Sequence, residues 1–130
     1  MLNKLRDEIH QNAQNHGWWD ENRTFGEIIA LCHSELSEAL EEYRDGKNNI
    51  YCYPCVHQQR PFKEHSDSRC TECLKAHSER KPEGIAIELS DCIIRILDYC
   101  GHAGIDIEEA IRIKHEHNKT RPYKHGGKKI

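Results

Sequence analysis

No apolar run in this 130-residue chain approaches the length of a membrane-spanning helix. The first stretch, MLNKLRDEIHQN, mixes polar and apolar residues throughout and has no apolar middle of the kind a secretory leader needs. A cytoplasmic protein with no membrane partner is the expectation. Strand-like alternation and hairpin-turn signals are missing wherever helical periodicity is strong. There is no internal repeat of useful length, so a solenoid is not expected. A large charge of one sign is also missing, the formal net charge being -3.

What charge there is lies unevenly. Residues 20 to 45 hold eight acids and two bases, whereas residues 112 to 130 hold seven Lys or Arg and a single acid, Glu116. A basic tail on an acidic helical body points to a phosphate-bearing ligand more than to a membrane.

Leu2, Leu5, Ile9 and Ala13 recur at helical spacing and predict a first helix over 2–16. The stretch HGWWDENRT breaks it. TFGE at 24 to 27 is a capping box, with Thr24 as N-cap and Glu27 at the third helical position. The second helix should run to about Arg44 and bury Phe25, Ile28 or Ile29, Cys32, Leu36, Leu40 and Tyr43. Helical pattern resumes after Pro82, with a stripe of Ile85, Leu89, Cys92 or Ile93, Ile96 and Cys100 that ends at GHAG. Asp106 and Glu109 repeat the capping pattern and open a fourth helix to about Asn118. The sum is one all-α domain over 1–130, a bundle interrupted between helices two and three by an insertion at 47–82.

Acids mark the second and third helices. Glu35 and Glu38 lie three apart on one face of helix two, and Glu88 and Asp91 repeat that spacing on helix three. The second pair is the more informative one. Helix three is apolar nearly all round, through Ile85, Ile87, Leu89, Cys92, Ile93, Ile94, Ile96 and Leu97, so it should be buried. Carboxylates embedded in such a helix are costly unless something positive meets them. Two antiparallel helices would bring the four acids together, and a hard divalent cation would relieve their repulsion. Mg²⁺ takes oxygen ligands and is commonly shared with substrate phosphates. A solvated acidic stripe is the plainer alternative.

With ELSE on one helix and ELSD on the next, the chain resembles the MazG-like all-α nucleoside triphosphate pyrophosphohydrolases. The likeness covers roughly 1–48 and 83–130 and extends to the tail NKTRPYKHGGK at 118–128. It implies a four-helix bundle that converts a nucleoside triphosphate into a monophosphate and pyrophosphate. It also implies that Glu35, Glu38, Glu88 and Asp91 hold Mg²⁺ and carry catalysis, and that Asn118, Lys119 and Arg121 contact phosphates. A homodimer or homotetramer is the implied assembly. Lys119 would serve as a point charge, while Arg121 could bind bidentately. Trp18 and Trp19 are candidates for stacking on the base, with core packing as the alternative. Some relatives carry a further Glu near the first motif that activates water. Here Ser34 precedes Glu35, which leaves the base among the four acids, with Asp98 as a further candidate or, equally, a surface ion-pair partner of Arg95 or a Lys.

The insertion departs from that family. Cys52 and Cys55 form one C-x₂-C pair and Cys70 and Cys73 another, with 14 residues between them. That spacing fits a Cys₄ zinc site, each pair forming a knuckle that presents two thiolates. Residues 47–82 hold few aliphatic side chains, so Zn²⁺ would supply the stability that burial cannot. His57, His65 and His77 would be exposed. Cys32, Cys92 and Cys100 fall at apolar helix positions and read as small hydrophobes. The competing function is a zinc-knuckle adaptor that binds nucleic acid or protein without catalysis. That alternative gives no reason for acids on the most apolar helix.

Overall fold

Thr24 and Glu27 make the reciprocal bonds of a capping box. The Thr24 hydroxyl accepts from the Glu27 amide at 3.3 Å, and the Glu27 carboxylate accepts from the Thr24 amide at 2.7 Å. Helix α2, Phe25–Arg44, starts there. It ends at Gly46, whose φ of 65° lets the amides of Gly46 and Lys47 return to the carbonyls of Tyr43 and Glu42. The same pair of closing bonds ends α1, Leu2–Asn15, and α3, Ile85–His102. Helix α4, Ile107–Lys119, opens on Asp106, whose carboxylate accepts from the Glu109 amide at 2.9 Å. Glu109 does not return that bond but pairs with Arg112. The structure is a computed structural model that describes residues 1–52 and 81–123, with Cys52 as backbone only. It is an all-α chain whose only strands among the described residues are β1, Tyr51–Cys52, and β2, Pro82–Glu83.

The described residues fall into two compact units. One contains Met1–Glu21 and the residues from Leu97 onward, and the other contains Asn22–Ile96. Helix α3 contributes its first twelve residues to the second unit and its last six to the first.

In the first unit, α1 is tied to the start of α4. The terminal amine and the Asn3 amide reach the Glu108 carboxylate at 3.1 Å, the Asn3 side chain reaches Asp106 at 2.8 Å, and Arg6 donates to the Ile105 carbonyl at 2.6 Å. Where α1 meets the end of α3, a Cβ on Gly101 would fall 2.5 Å from the Cβ of His10. Only glycine fits that contact.

In the second unit, α2 packs against the start of α3. Cys32 hydrogen-bonds Cys92, Glu35 comes within 4.8 Å of Asp91 and Glu88, and the charge of Glu38 acts on Glu88, a descending register that fits antiparallel helices. The seam on α2 is Ile28, Cys32, Glu35 and Ala39, spaced four, three and four. Small side chains at this contact allow close helix approach. This corrects the expected stripe. Cys32 and Cys92 are buried, but Leu36 is 48% exposed and Tyr43 70% exposed, and Phe25, Leu40, Leu89, Ile93 and Ile96 are also exposed. Cys32, Cys92 and Cys100 are free, buried thiols.

The base of the insertion is closed by a short antiparallel ladder, with Tyr51 opposite Glu83 and Cys52 opposite Pro82. Tyr51 donates to Glu42 of α2 at 2.8 Å, and Lys47 sits over its ring. Burial and the Glu42 carboxylate push the Tyr51 hydroxyl well above its usual range. Gly84 follows with φ 117°, and a Cβ there would lie 2.6 Å from the carbonyl oxygens of Asn48 and Asn49.

Candidate metal centre

The α2–α3 seam places two acids among its buried residues. Glu35 is 6% exposed and Glu88 4% exposed. Asp91 joins them one turn along α3, and the carboxylate oxygens of all three lie within 4.8 Å of one another. Three atoms that close share a point within about 2.8 Å of each, and Mg²⁺–oxygen bonds are about 2.1 Å, so a small side-chain adjustment would close the three on an ion. The fourth expected ligand, Glu38, is exposed and accepts from the Ser34 hydroxyl at 3.3 Å. Its charge still reaches Glu88 and Asp91.

The electrostatics are those of mutually repelling, partly desolvated carboxylates. Among the described residues the Glu88 side chain makes no hydrogen bond or ion pair. Burial, then the charges of Glu38 and Asp91, hold its carboxyl above the ordinary range. Burial, then the charge of Glu35, does the same for Asp91. Two cations oppose them. Lys81, paired with Glu83 at 3.1 Å, lowers both values. Arg95 lowers that of Asp91 and bonds Glu35 directly, its Nε and Nη2 both 2.6 Å from Oε1. An all-carboxylate donor set suits a hard cation such as Mg²⁺.

Arg95 was not among the residues expected at the site. Its signal was available, because it follows Asp91 by four on one helix face and is the one base on an otherwise apolar and acidic stretch. Asp98, expected either near catalysis or in a surface ion pair, lies in the first unit. There it accepts from the Trp19 indole at 2.9 Å and bonds His10 at 2.7 Å. The Trp19 ring stacks on His102 with centroids 3.9 Å apart, so one indole face is already covered. Trp18 is 47% exposed. Asn118 and Lys119 end α4, and Arg121 follows two residues beyond it. Lys119 pairs with Glu116 at 2.7 Å, and the Asn118 carbonyl accepts from the Arg121 amide. These five residues belong to the first unit.

Cys55, Cys70 and Cys73, the Cys52 side chain, and His57, His65 and His77 lie outside the described residues. Among the described residues no helix is long and apolar enough to cross a membrane. No family model, curated protein or solved structure matches the chain.

Proposed function

We propose that the chain is a Mg²⁺-dependent nucleotide pyrophosphohydrolase that cleaves nucleoside or deoxynucleoside triphosphates to the monophosphate and pyrophosphate. One observation carries the reading. Glu88, a buried residue of the most apolar helix, brings its carboxylate within 4.8 Å of those of Asp91 and of Glu35 on α2. The cation that acts on Glu88, Lys81, is mostly exposed and paired with Glu83, and a bound cation would offset the remaining repulsion.

In this reading Glu35, Glu88 and Asp91 hold the ion, and Glu38 joins them from the exposed rim. When bound, Mg²⁺ supplies positive charge for phosphate oxygens and makes water more acidic. Positioning and charge neutralisation account for most of the catalysis such a reaction needs. Asn118, Lys119 and Arg121 bind phosphates, and Trp18, the more exposed of the two indoles, stacks on the base. The base that activates water is one of the four acids. The fold would be a MazG-like four-helix bundle, and the role adjustment of the nucleotide pool in the cytoplasm. Free buried thiols at Cys32 and Cys92 suit a reducing compartment.

Two further parts belong to the proposal. Self-association into a homodimer or homotetramer would cover Phe25, Leu36, Leu40 and Tyr43 on α2 and Leu89, Ile93 and Ile96 on α3, a large apolar surface for one chain to leave open. A structural Zn²⁺ on Cys52, Cys55, Cys70 and Cys73 would order the insertion.

The test is pyrophosphate release from a panel of NTPs and dNTPs with Mg²⁺, comparing wild type with Glu38→Gln and Glu88→Gln. Release that needs Mg²⁺ and is lost in both variants is expected. No release from any substrate by folded, zinc-loaded protein would sink the reading and favour a non-catalytic zinc-knuckle adaptor.

A further inference from the structure

Arg95 occupies an unusual place for an arginine. It projects from the helix that carries Glu88 and Asp91, one turn past Asp91, and its side chain is largely buried. It meets Glu35, itself buried, through two donors that converge on a single oxygen at 2.6 Å. A fork placed on both oxygens would have engaged the whole carboxylate. Here both contacts fall on Oε1. The second nearby cation, Lys81, is mostly exposed and pairs with Glu83, so its charge is screened.

We propose that Arg95 is the resident counter-cation of the acidic site: it holds Glu35 when no ion is bound and keeps the affinity for a divalent ion low by offsetting part of the site's negative charge. This rests on the metal-site reading above, and it concerns regulation of that site by a residue that touches neither ion nor substrate.

The physical argument weighs two opposed effects. Losing Arg95 loosens Glu35, which weakens ion binding. It also removes a unit positive charge from beside a desolvated cation site, which strengthens ion binding. At an effective dielectric of about 20, a charge only a few ångströms away outweighs the loss of one orienting contact. The second effect therefore wins. Low intrinsic affinity has a functional meaning: the ion is then held well only when a polyphosphate supplies further oxygen ligands, as Mg²⁺ sites commonly require. Arg95 is thus a positioning residue that makes ion binding depend on substrate.

The experiment measures Mn²⁺ and Mg²⁺ binding by titration calorimetry, without nucleotide, on zinc-loaded full-length wild type, Arg95→Gln and Arg95→Lys. Thermal unfolding is followed on the same samples with and without ion. Arg95→Gln should bind either ion about tenfold or more tightly than wild type. Its ion-free form should unfold at a lower temperature, and saturating ion should restore it. Arg95→Lys, which keeps the charge, should bind within about threefold of wild type. Equal or weaker binding by Arg95→Gln would overturn the proposal, as would Arg95→Lys binding as tightly as Arg95→Gln. If Arg95→Gln does not fold, Arg95→Lys and wild type still decide: tenfold tighter binding by the lysine variant would refute a charge-based role. If no variant binds either ion at millimolar concentration, the metal site itself fails, and this proposal with it.

Discussion

Replacing Glu88 by Gln should stabilise the protein in the absence of a divalent ion. The two side chains are nearly isosteric, so packing is kept, and the Glu88 carboxylate makes no hydrogen bond with another described residue that the change would break. What changes is charge. Glu88 and Asp91 bring carboxylate oxygens within 4.8 Å. At an effective dielectric of about 20, two unit charges at that distance repel by about 3.5 kcal/mol. Lys81 offsets part of this at Glu88. A net gain of about 1–2 kcal/mol remains, which for a chain of this size is a rise in Tm of about 4–8 °C. The pH dependence has a definite sign. Glu88 has its folded pKa raised, chiefly by burial, so its charged form costs stability. That cost is absent below the ordinary carboxylate pKa and grows as pH rises through the raised folded value. The gap between variant and wild type should therefore be widest near pH 8 and close toward pH 4. The assay is thermal unfolding in magnesium-free buffer without chelator, so that zinc is retained. Added Mg²⁺ should stabilise wild type and leave the variant almost unchanged. A Glu88→Gln protein less stable than wild type at pH 8 without Mg²⁺ would refute the reasoning.

Three other outcomes are expected. Gly84→Ala should cost about 2 kcal/mol or more in urea unfolding, since it adds a Cβ at φ 117° against the Asn48 and Asn49 carbonyls. Asp98→Ala removes the acceptor shared by His10 and the Trp19 indole, and should lower stability by about 2–3 kcal/mol while shifting tryptophan emission. Elemental analysis should find one zinc per chain, lost together with some thermal stability in Cys70→Ser.

Much of this fold was legible because it is local. The capping box at Thr24 and Glu27 sits within four residues, and its two bonds are both made. Glu88 and Asp91 announced themselves by standing on an apolar helix, and they do meet Glu35. The buried face of α2 was not legible. Leu36, Leu40 and Tyr43 looked like core by size, but Ala39 and Glu35 take the seam. What permits a buried Glu35 is Arg95, sixty positions away, and no periodicity within α2 reports it. Asp98 shows the same limit, since its partners lie 88 and 79 residues earlier. The ladder at the base of the insertion escaped notice because two residues per strand are too few to alternate.

That ladder makes the chain separable. Paired residues across an antiparallel ladder lie about 5 Å apart, so the polypeptide departs after Cys52 and re-enters at Pro82 through almost the same gate. A short turn that keeps Lys81 could join them without moving α2 or α3. Whatever occupies 53–80 can then be acquired, exchanged or discarded as a cassette, with Lys81 kept for its charge beside the acids, while Tyr51, Glu42 and Gly84 keep the gate closed behind it. The acidic helix pair and the cysteine-rich segment can in that sense have independent histories, and a cassette-free version of the protein would be the means to ask what each contributes alone.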